Sequence, residues 1–120
     1  GQGAALALET LATGRAWSKF EAICQAQGGM RTPPVAAHVQ PLTASRAGRV
    51  VHIDNRRLAR LAKLAGAPDA KAAGVSMDIR IGDEVGRGEP LIHLHAETAA
   101  ELSYALDYAE RNPDMVTLTL

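Results

Sequence analysis

Three histidines are the residues of this 120-residue chain whose spacing best suits metal binding. His93 and His95 lie two apart in a predicted strand, so both side chains point to the same face. Together with His52 on another predicted strand, they could form a three-histidine zinc site. Because no Asp or Cys supports them at a suitable spacing, we interpret them as surface residues of strands and predict no metal.

A basic helix face is the second candidate site, formed by Arg56, Arg57, Arg60 and Lys63. Such a face could bind phosphate or nucleic acid. A solvated face, balanced by acidic residues elsewhere, explains the same pattern, and we favour it. If the face has a function, contact with another domain of the same protein fits best, because the planar guanidinium group suits paired contacts.

The loop "GAPDAKAAG", residues 66–74, is the third candidate. Its small residues permit close approach of another backbone, and Asp69 and Lys71 offer opposite charges. The loop could pack against a neighbouring domain, approach a ligand, or simply connect a helix to a strand. We predict domain packing in preference to ligand contact.

A glycine-rich corner, "IGDEVGRGEPLIHLHAE", occupies residues 81–97. Gly82 and Gly88 allow backbone conformations that other residues avoid, and Asp83 can accept hydrogen bonds from neighbouring N–H groups. No helix N-terminus follows to supply aligned N–H groups for a phosphate. The pattern therefore predicts a hairpin, with no cofactor-binding residue.

The amino-acid composition argues against several classes of protein. Thirteen basic and thirteen acidic residues give a net charge of zero, and aromatic residues make up 3%, so we expect no nucleic-acid partner. The single cysteine, Cys24, is interpreted as a buried hydrophobic residue and suits the cytoplasm. No apolar run is long enough to span a membrane. Because the first methionine is Met30, we interpret the chain as part of a longer protein.

Hydrophobic periodicity predicts an α+β fold with a mainly antiparallel or mixed sheet. The alternation of Val75, Met77, Ile79 and Ile81 is the clearest strand pattern. The predicted elements are helices 4–13 and 15–27, strands 38–44 and 49–53 around a turn, helix 55–65 capped by Asp54, strands 75–81 and 90–96, helix 99–111 with a Thr98–Glu101 capping box, and strand 115–120.

Two segments carry a family resemblance. Residues 54–97, with "GAPDAKAAG" and "GDEVGRGEPLIHLHAE", resemble the C-terminal domain of the thymidine and pyrimidine-nucleoside phosphorylases, in the variant shared with AMP phosphorylases. "WSKFEAICQAQGG", residues 17–29, resembles the helix that leads into this domain. The resemblance implies an α/β hammerhead with a barrel-sandwich-like sheet and packed helices. Residues 1–30 would be a helical lead-in from the preceding domain and residues 31–120 the hammerhead domain.

The resemblance also implies an activity for the whole enzyme. Phosphate cleaves a nucleoside to free base and (deoxy)ribose 1-phosphate, with inorganic phosphate as co-substrate and no cofactor. The family's phosphate- and base-binding motifs lie in earlier domains, and none occurs in residues 1–120. We therefore expect no catalytic residue here, an inactive fragment, other domains of the same enzyme as partners, and a cytoplasmic homodimer at full length.

Two other functions remain open. The "GDEVGRGEPL" corner also resembles biotinyl and lipoyl carrier domains, which would need Lys63 or Lys71 at an exposed hairpin tip. A small nucleic-acid-binding domain would instead use the helix at residues 56–63.

Overall fold

Two adjacent prolines, Pro33 and Pro34, mark the boundary between two units of the chain. The structure, a computed structural model, describes residues 1–119. Neither proline can donate a backbone hydrogen bond, and Pro34 restricts the residue before it, so a helix cannot continue through them. None of the helices within the described residues is long and apolar enough to cross a membrane.

The first unit, residues 1–33, is a pair of helices, α1 (Gln2–Ala12) and α2 (Arg15–Ala26). Gly14 lies between them with a φ of 77°, a left-handed conformation that glycine adopts without strain. Both helices were predicted from the sequence. Neither contains a buried residue, and Cys24 is only partly buried, so its interpretation as a buried hydrophobic residue is wrong.

The second unit, from Pro34 onwards, contains two three-stranded antiparallel sheets and two helices, so the α+β class is confirmed. The first sheet has the order β1-β5-β3 and the second the order β4-β2-β6. The elements are β1 (His38–Thr43), β2 (Gly48–Ile53), α3 (Asn55–Leu64), β3 (Gly74–Met77), β4 (Glu84–Val85), β5 (Pro90–Ala96), α4 (Ala99–Arg111) and β6 (Val116–Thr119). The last residue of the predicted strand 115–120, Leu120, lies outside the described residues.

The predicted pairing of β1 with β2 around a turn is wrong. Both strands exist, but they belong to different sheets: Leu42 of β1 lies opposite Ile92, whereas Val50 of β2 lies opposite Leu118. The segment between the strands therefore links two sheets. Val50 and Ile92 are buried in the same core cluster although they are far apart in the sequence. The strands pair so that this shared core forms, and not according to which strand comes next in the sequence.

The predicted strand 75–81 is also shorter than expected. It ends at Met77, because the chain then crosses from the first sheet to the second, where the N–H of Gly82 donates to the Val50 carbonyl at 2.7 Å. Ile79 is buried during the crossing, but the side chains of Met77 and Ile81 are 48% and 66% exposed. The sequence did not predict β4, which follows the crossing.

Both helices of the second unit begin at the predicted caps. The Asp54 carboxylate accepts from the N–H groups of Arg56 and Arg57, each at 3.1 Å. The Thr98 hydroxyl accepts from the N–H of Glu101 at 3.2 Å and donates to its carboxylate at 2.9 Å. These bonds satisfy N–H groups that have no partner within the helix.

The core has two parts. One lies between the sheets and is formed by Ala44, Val50, Ile79, Val85, Leu91, Ile92 and Leu118. The other lies where α3 and α4 meet β5, and is formed by Leu61, Ala65, Leu94, Ala105 and Met115. Every buried residue of the described chain is apolar. Nonpolar packing therefore holds α3, α4 and both sheets together, and charged groups lie at the surface.

Candidate functional site

The outer face of α3 carries three exposed cations, Arg56, Arg60 and Lys63. Their spacing of four and then three residues places them on one side of the helix. Within residues 1–119, none of the three forms an ion pair. We call these three residues the α3 stripe.

Arg57 behaves differently from the α3 stripe. Its guanidinium group lies 3.3 Å from an Asp54 carboxylate oxygen and 2.5 Å from one of Asp114. The hydrogen bond to Asp114 raises the pKa of Arg57. Arg57 thus joins the start of α3 to the segment before β6. Sequence patterns did not indicate Asp114 as its partner, because 57 positions separate the two residues.

Asp54 is the electrostatic partner at the start of α3. Its pKa is lowered, chiefly by the hydrogen bond from the Arg57 N–H and then by the charge of the Arg57 guanidinium group and the Arg56 N–H. The nearby His52 acts in the same direction, while desolvation opposes these effects. The carboxylate is therefore already engaged by the helix, and the α3 stripe receives no charge partner from it.

The loop at residues 66–74 is held in place by hydrogen bonds to its backbone. The N–H of Ala70 donates to the Gly66 carbonyl at 2.9 Å, and the N–H of Ala72 donates to the Glu97 carboxylate at 3.1 Å. The side chains of Asp69 and Lys71 are exposed. They form no ion pair with each other, so both charges are available at the surface.

Two of the three candidate histidines each contact a different polar side chain. His93 Nδ1 lies 2.5 Å from an Asp78 carboxylate oxygen, and His95 Nε2 lies 2.9 Å from the Ser76 hydroxyl. His52 lies in the other sheet. In the part of the chain that the structure describes, no three His, Cys, Asp or Glu side chains are grouped to hold a metal. The sequence did not indicate Asp78 as a partner of His93. The two residues come together because β5 pairs antiparallel with β3.

The glycine-rich corner forms as predicted at two glycines. Gly82 and Gly88 have φ values of 100° and 86°, and the Asp83 carboxylate accepts from the Arg80 N–H at 2.8 Å. The N–H of Gly88 donates to the Ala44 carbonyl at 2.8 Å, which ties the corner to the end of β1. The corner contains β4, so it crosses between sheets as well as returning the chain to β5.

An open groove of about 370 Å³ lies beside β1, the end of α4 and the start of β6. Its lining is about half apolar; Leu42 and Met115 are among the apolar residues, and Glu110 and Asn112 among the polar ones. The Asn112 side chain is bonded to the Tyr108 carbonyl at 2.9 Å. The groove has no converging set of charged groups, and the sequence did not indicate it.

The architecture thus defines an α+β scaffold with an apolar core, and the candidate contact charges lie on α3 and on the loop at residues 66–74. The family described as the pyrimidine nucleoside phosphorylase C-terminal domain matches residues 49–115. The chain belongs to this family. The match includes all of α3, the loop and the glycine-rich corner.

Related proteins extend the similarity to nearly the whole chain. One from Chelativorans sp. (strain BNC1), named "Putative thymidine phosphorylase", is 71% identical over 118 residues. Proteins of the same name from Sphingopyxis alaskensis and Tolumonas auensis are 63% identical over 110 residues and 56% identical over 118 residues. The matches cover 98%, 92% and 98% of this chain but only 23%, 21% and 23% of the relatives. The chain therefore spans less than a quarter of their length.

The similarity does not support the alternative functions. Lys63 lies on α3 and Lys71 in the loop before β3, so neither lies at a hairpin tip where a carrier domain holds its cofactor. The family match likewise gives no support for a nucleic-acid-binding domain at residues 56–63.

Proposed function

We propose that this chain is the C-terminal domain of a cytoplasmic thymidine or related pyrimidine-nucleoside phosphorylase. The whole enzyme transfers the sugar of a nucleoside to inorganic phosphate, and it releases free base and (deoxy)ribose 1-phosphate. The observation that carries this proposal is the 71% identity over 118 residues to a protein named for that activity. Inorganic phosphate is a co-substrate, and the reaction needs no cofactor.

The role of the domain is structural. Its buried side chains are all apolar, and its charged groups lie at the surface. Phosphorolysis depends on positioning the reactants and on stabilising charge at the phosphate and the sugar. A domain that fixes how the substrate-binding parts close can affect catalysis without contacting the substrate.

Residues 1–30 are proposed to be the helical lead-in from the preceding domain, and residues 31–120 the C-terminal hammerhead domain. Trp17, Phe20 and Ile23 of α2 support this, because their side chains are about half exposed. A helix pair with no buried residue has little stability of its own. These side chains are buried when the preceding domain of the longer polypeptide covers them.

The proposed contact with the other domains uses the α3 stripe together with Asp69 and Lys71 of the loop. All five side chains are exposed and lack ion-pair partners in the described chain. Arg57 contributes indirectly, because its bonds to Asp54 and Asp114 hold the start of the helix. The full-length enzyme is proposed to be a homodimer.

Phosphorolysis assays of two proteins test this function. The full-length polypeptide and the isolated 120-residue chain are each incubated with thymidine and inorganic phosphate, and thymine release is followed by chromatography. We expect release by the full-length protein, none by the isolated chain, and none by either without phosphate. Release by the isolated chain would overturn the structural role. A folded full-length protein inactive with thymidine, uridine and deoxyuridine would overturn the phosphorylase activity.

A further inference from the structure

An electrostatic conflict is built into α3. Its first turn contains Arg56 and Arg57 and no acidic residue, although the positive end of the helix dipole disfavours cations there. Arg56 and Arg60 are four residues apart, and Arg60 and Lys63 are three apart, so like charges also repel along the face. Only Lys63, in the last turn, agrees with the dipole.

In the described chain, only Arg57 has acidic partners that offset these unfavourable interactions. Arg57 binds Asp54 and Asp114. The α3 stripe has no such partner, and no acidic residue occurs between Asn55 and Leu64. A surface that opposes its own local electrostatics is typical of a functional site, where another molecule or domain compensates the cost.

We propose that the α3 stripe binds a carboxylate-rich surface in the remainder of the same polypeptide. This inference rests on the proposed function and gives the partner of the interdomain contact its chemistry. The stripe spans roughly 10 Å along the helix, at 1.5 Å per residue, which accommodates two or three carboxylates. The partner would lie in the part of the polypeptide that corresponds to the remaining three quarters or more of the relatives' length.

A protein carboxylate surface fits the stripe better than a nucleic acid does. The chain has no net charge to attract a polyanion. The outer face of α3 also has no aromatic side chain on which a base could stack. The planar arginine groups suit bidentate contacts with carboxylates.

Zero-length cross-linking of the full-length protein tests the contact directly. A carbodiimide joins lysine to carboxylate only when the two are in contact, and mass spectrometry identifies the joined residues. We expect Lys63 to be joined to an Asp or Glu outside residues 1–120 of the same polypeptide. Lys63→Arg is the control, because it keeps the charge but removes the reactive amine. Mixing isotopically light and heavy protein separates this product from a link between two copies, and no link or only an intermolecular link would overturn the proposal.

A pair of stability measurements provides an independent test. In the 120-residue chain, Arg56→Gln with Arg60→Gln removes repulsion, and we expect the melting temperature to rise by roughly 2–5 °C. In the full-length protein the same variant loses the contact, and we expect its melting temperature to fall. Arg87→Gln, which removes one exposed cation from a turn, is the control and should change neither value. A rise in both proteins, or no change in either, would contradict the proposal.

Two further readouts separate the possible failures. Thymidine phosphorolysis by the wild-type protein is measured alongside cross-linking, so an active enzyme without the cross-link overturns the contact alone. A cross-linked protein without phosphorolysis overturns the proposed activity alone. In a low-salt gel shift, we expect no retardation of nucleic acid; retardation by the wild type that the double variant loses would overturn the carboxylate partner.

Discussion

The helix pair at residues 1–33 and the sheet unit that follows bury their apolar residues very differently. Every buried residue of the described chain lies in the sheet unit. The helix pair instead exposes about half or more of each of its large apolar side chains: Leu6, Leu8, Leu11, Trp17, Phe20, Ile23 and Met30. Apolar patches of this kind mark contact surfaces. The sheet unit therefore encodes its own core, whereas the helix pair buries none of its large apolar side chains within the described chain.

Truncation of leucine in each unit gives the largest expected difference. Leu94 is fully buried in the central strand of the first sheet, whereas Leu11 is 69% exposed. In the 120-residue chain, we expect Leu94→Ala to lower the free energy of unfolding by about 2–5 kcal/mol. We expect Leu11→Ala to change it by less than about 0.5 kcal/mol. Urea unfolding followed by circular dichroism measures both, and equal losses would break the comparison.

A glycine substitution tests the close packing of the sheet unit. A Cβ on Gly48 would lie 2.1 Å from the Thr119 carbonyl oxygen, so Gly48→Ala forces β2 and β6 apart. We expect a loss of about 1–3 kcal/mol in the free energy of unfolding. Gly86→Ala is the control, because its Cβ would meet only the mobile end of Glu89, at 3.1 Å. Similar unfolding midpoints for Gly48→Ala and the wild type would show that β2 and β6 can separate enough to accommodate the methyl group without loss of stability.

Two threonines extend the comparison to the helices. Thr98 caps α4 by accepting from the Glu101 N–H, whereas Thr10 lies inside α1 and donates to the Leu6 carbonyl at 2.7 Å. We expect Thr98→Ala to cost about 1 kcal/mol, because the N–H loses its partner. Thr10→Ala should cost nothing measurable, since alanine favours the helix. Thermal unfolding of the two variants measures the difference, and a larger loss for Thr10→Ala would contradict it.

Asp54 gives the smallest expected effect, and it depends on pH. Its pKa in the folded chain lies below its usual value. The carboxylate therefore stabilises the fold fully above about pH 4, near its unfolded pKa, and this contribution is lost as the pH falls through the folded-state pKa. Asp54→Asn keeps a capping side chain but removes the charge. We expect its melting temperature to lie below that of the wild type at pH 7 and the gap to narrow below about pH 4; a constant gap would contradict this.

Local chemistry made parts of the fold predictable from the sequence. Asp54 and Thr98 marked the starts of α3 and α4, and the bond from the Arg80 N–H to Asp83 followed from turn chemistry. Each of these features depends on residues within three positions of one another. Such short-range rules hold whether or not the rest of the fold is known.

Nonlocal pairing explains what the sequence did not reveal. Val75, Met77, Ile79 and Ile81 alternate with polar residues, as in a single strand. The alternation does not show that the strand ends at Met77 and that the chain then crosses to the other sheet. The candidate site shows the same limit. The basic residues of α3 were found from their spacing, but only the approach of Asp114 distinguishes Arg57 from its neighbours.

The pairing of β2 with β6 also constrains how the chain folds as it is made. Arg49 and Thr119 lie opposite each other although 70 positions separate them. At a synthesis rate of roughly 5–20 residues per second, β2 is synthesised on the order of several seconds before its partner β6. During that time its free edge can bind other nascent chains. Once β6 has paired, the Arg46 guanidinium group stabilises it by donating hydrogen bonds to the Leu118 and Thr119 carbonyls.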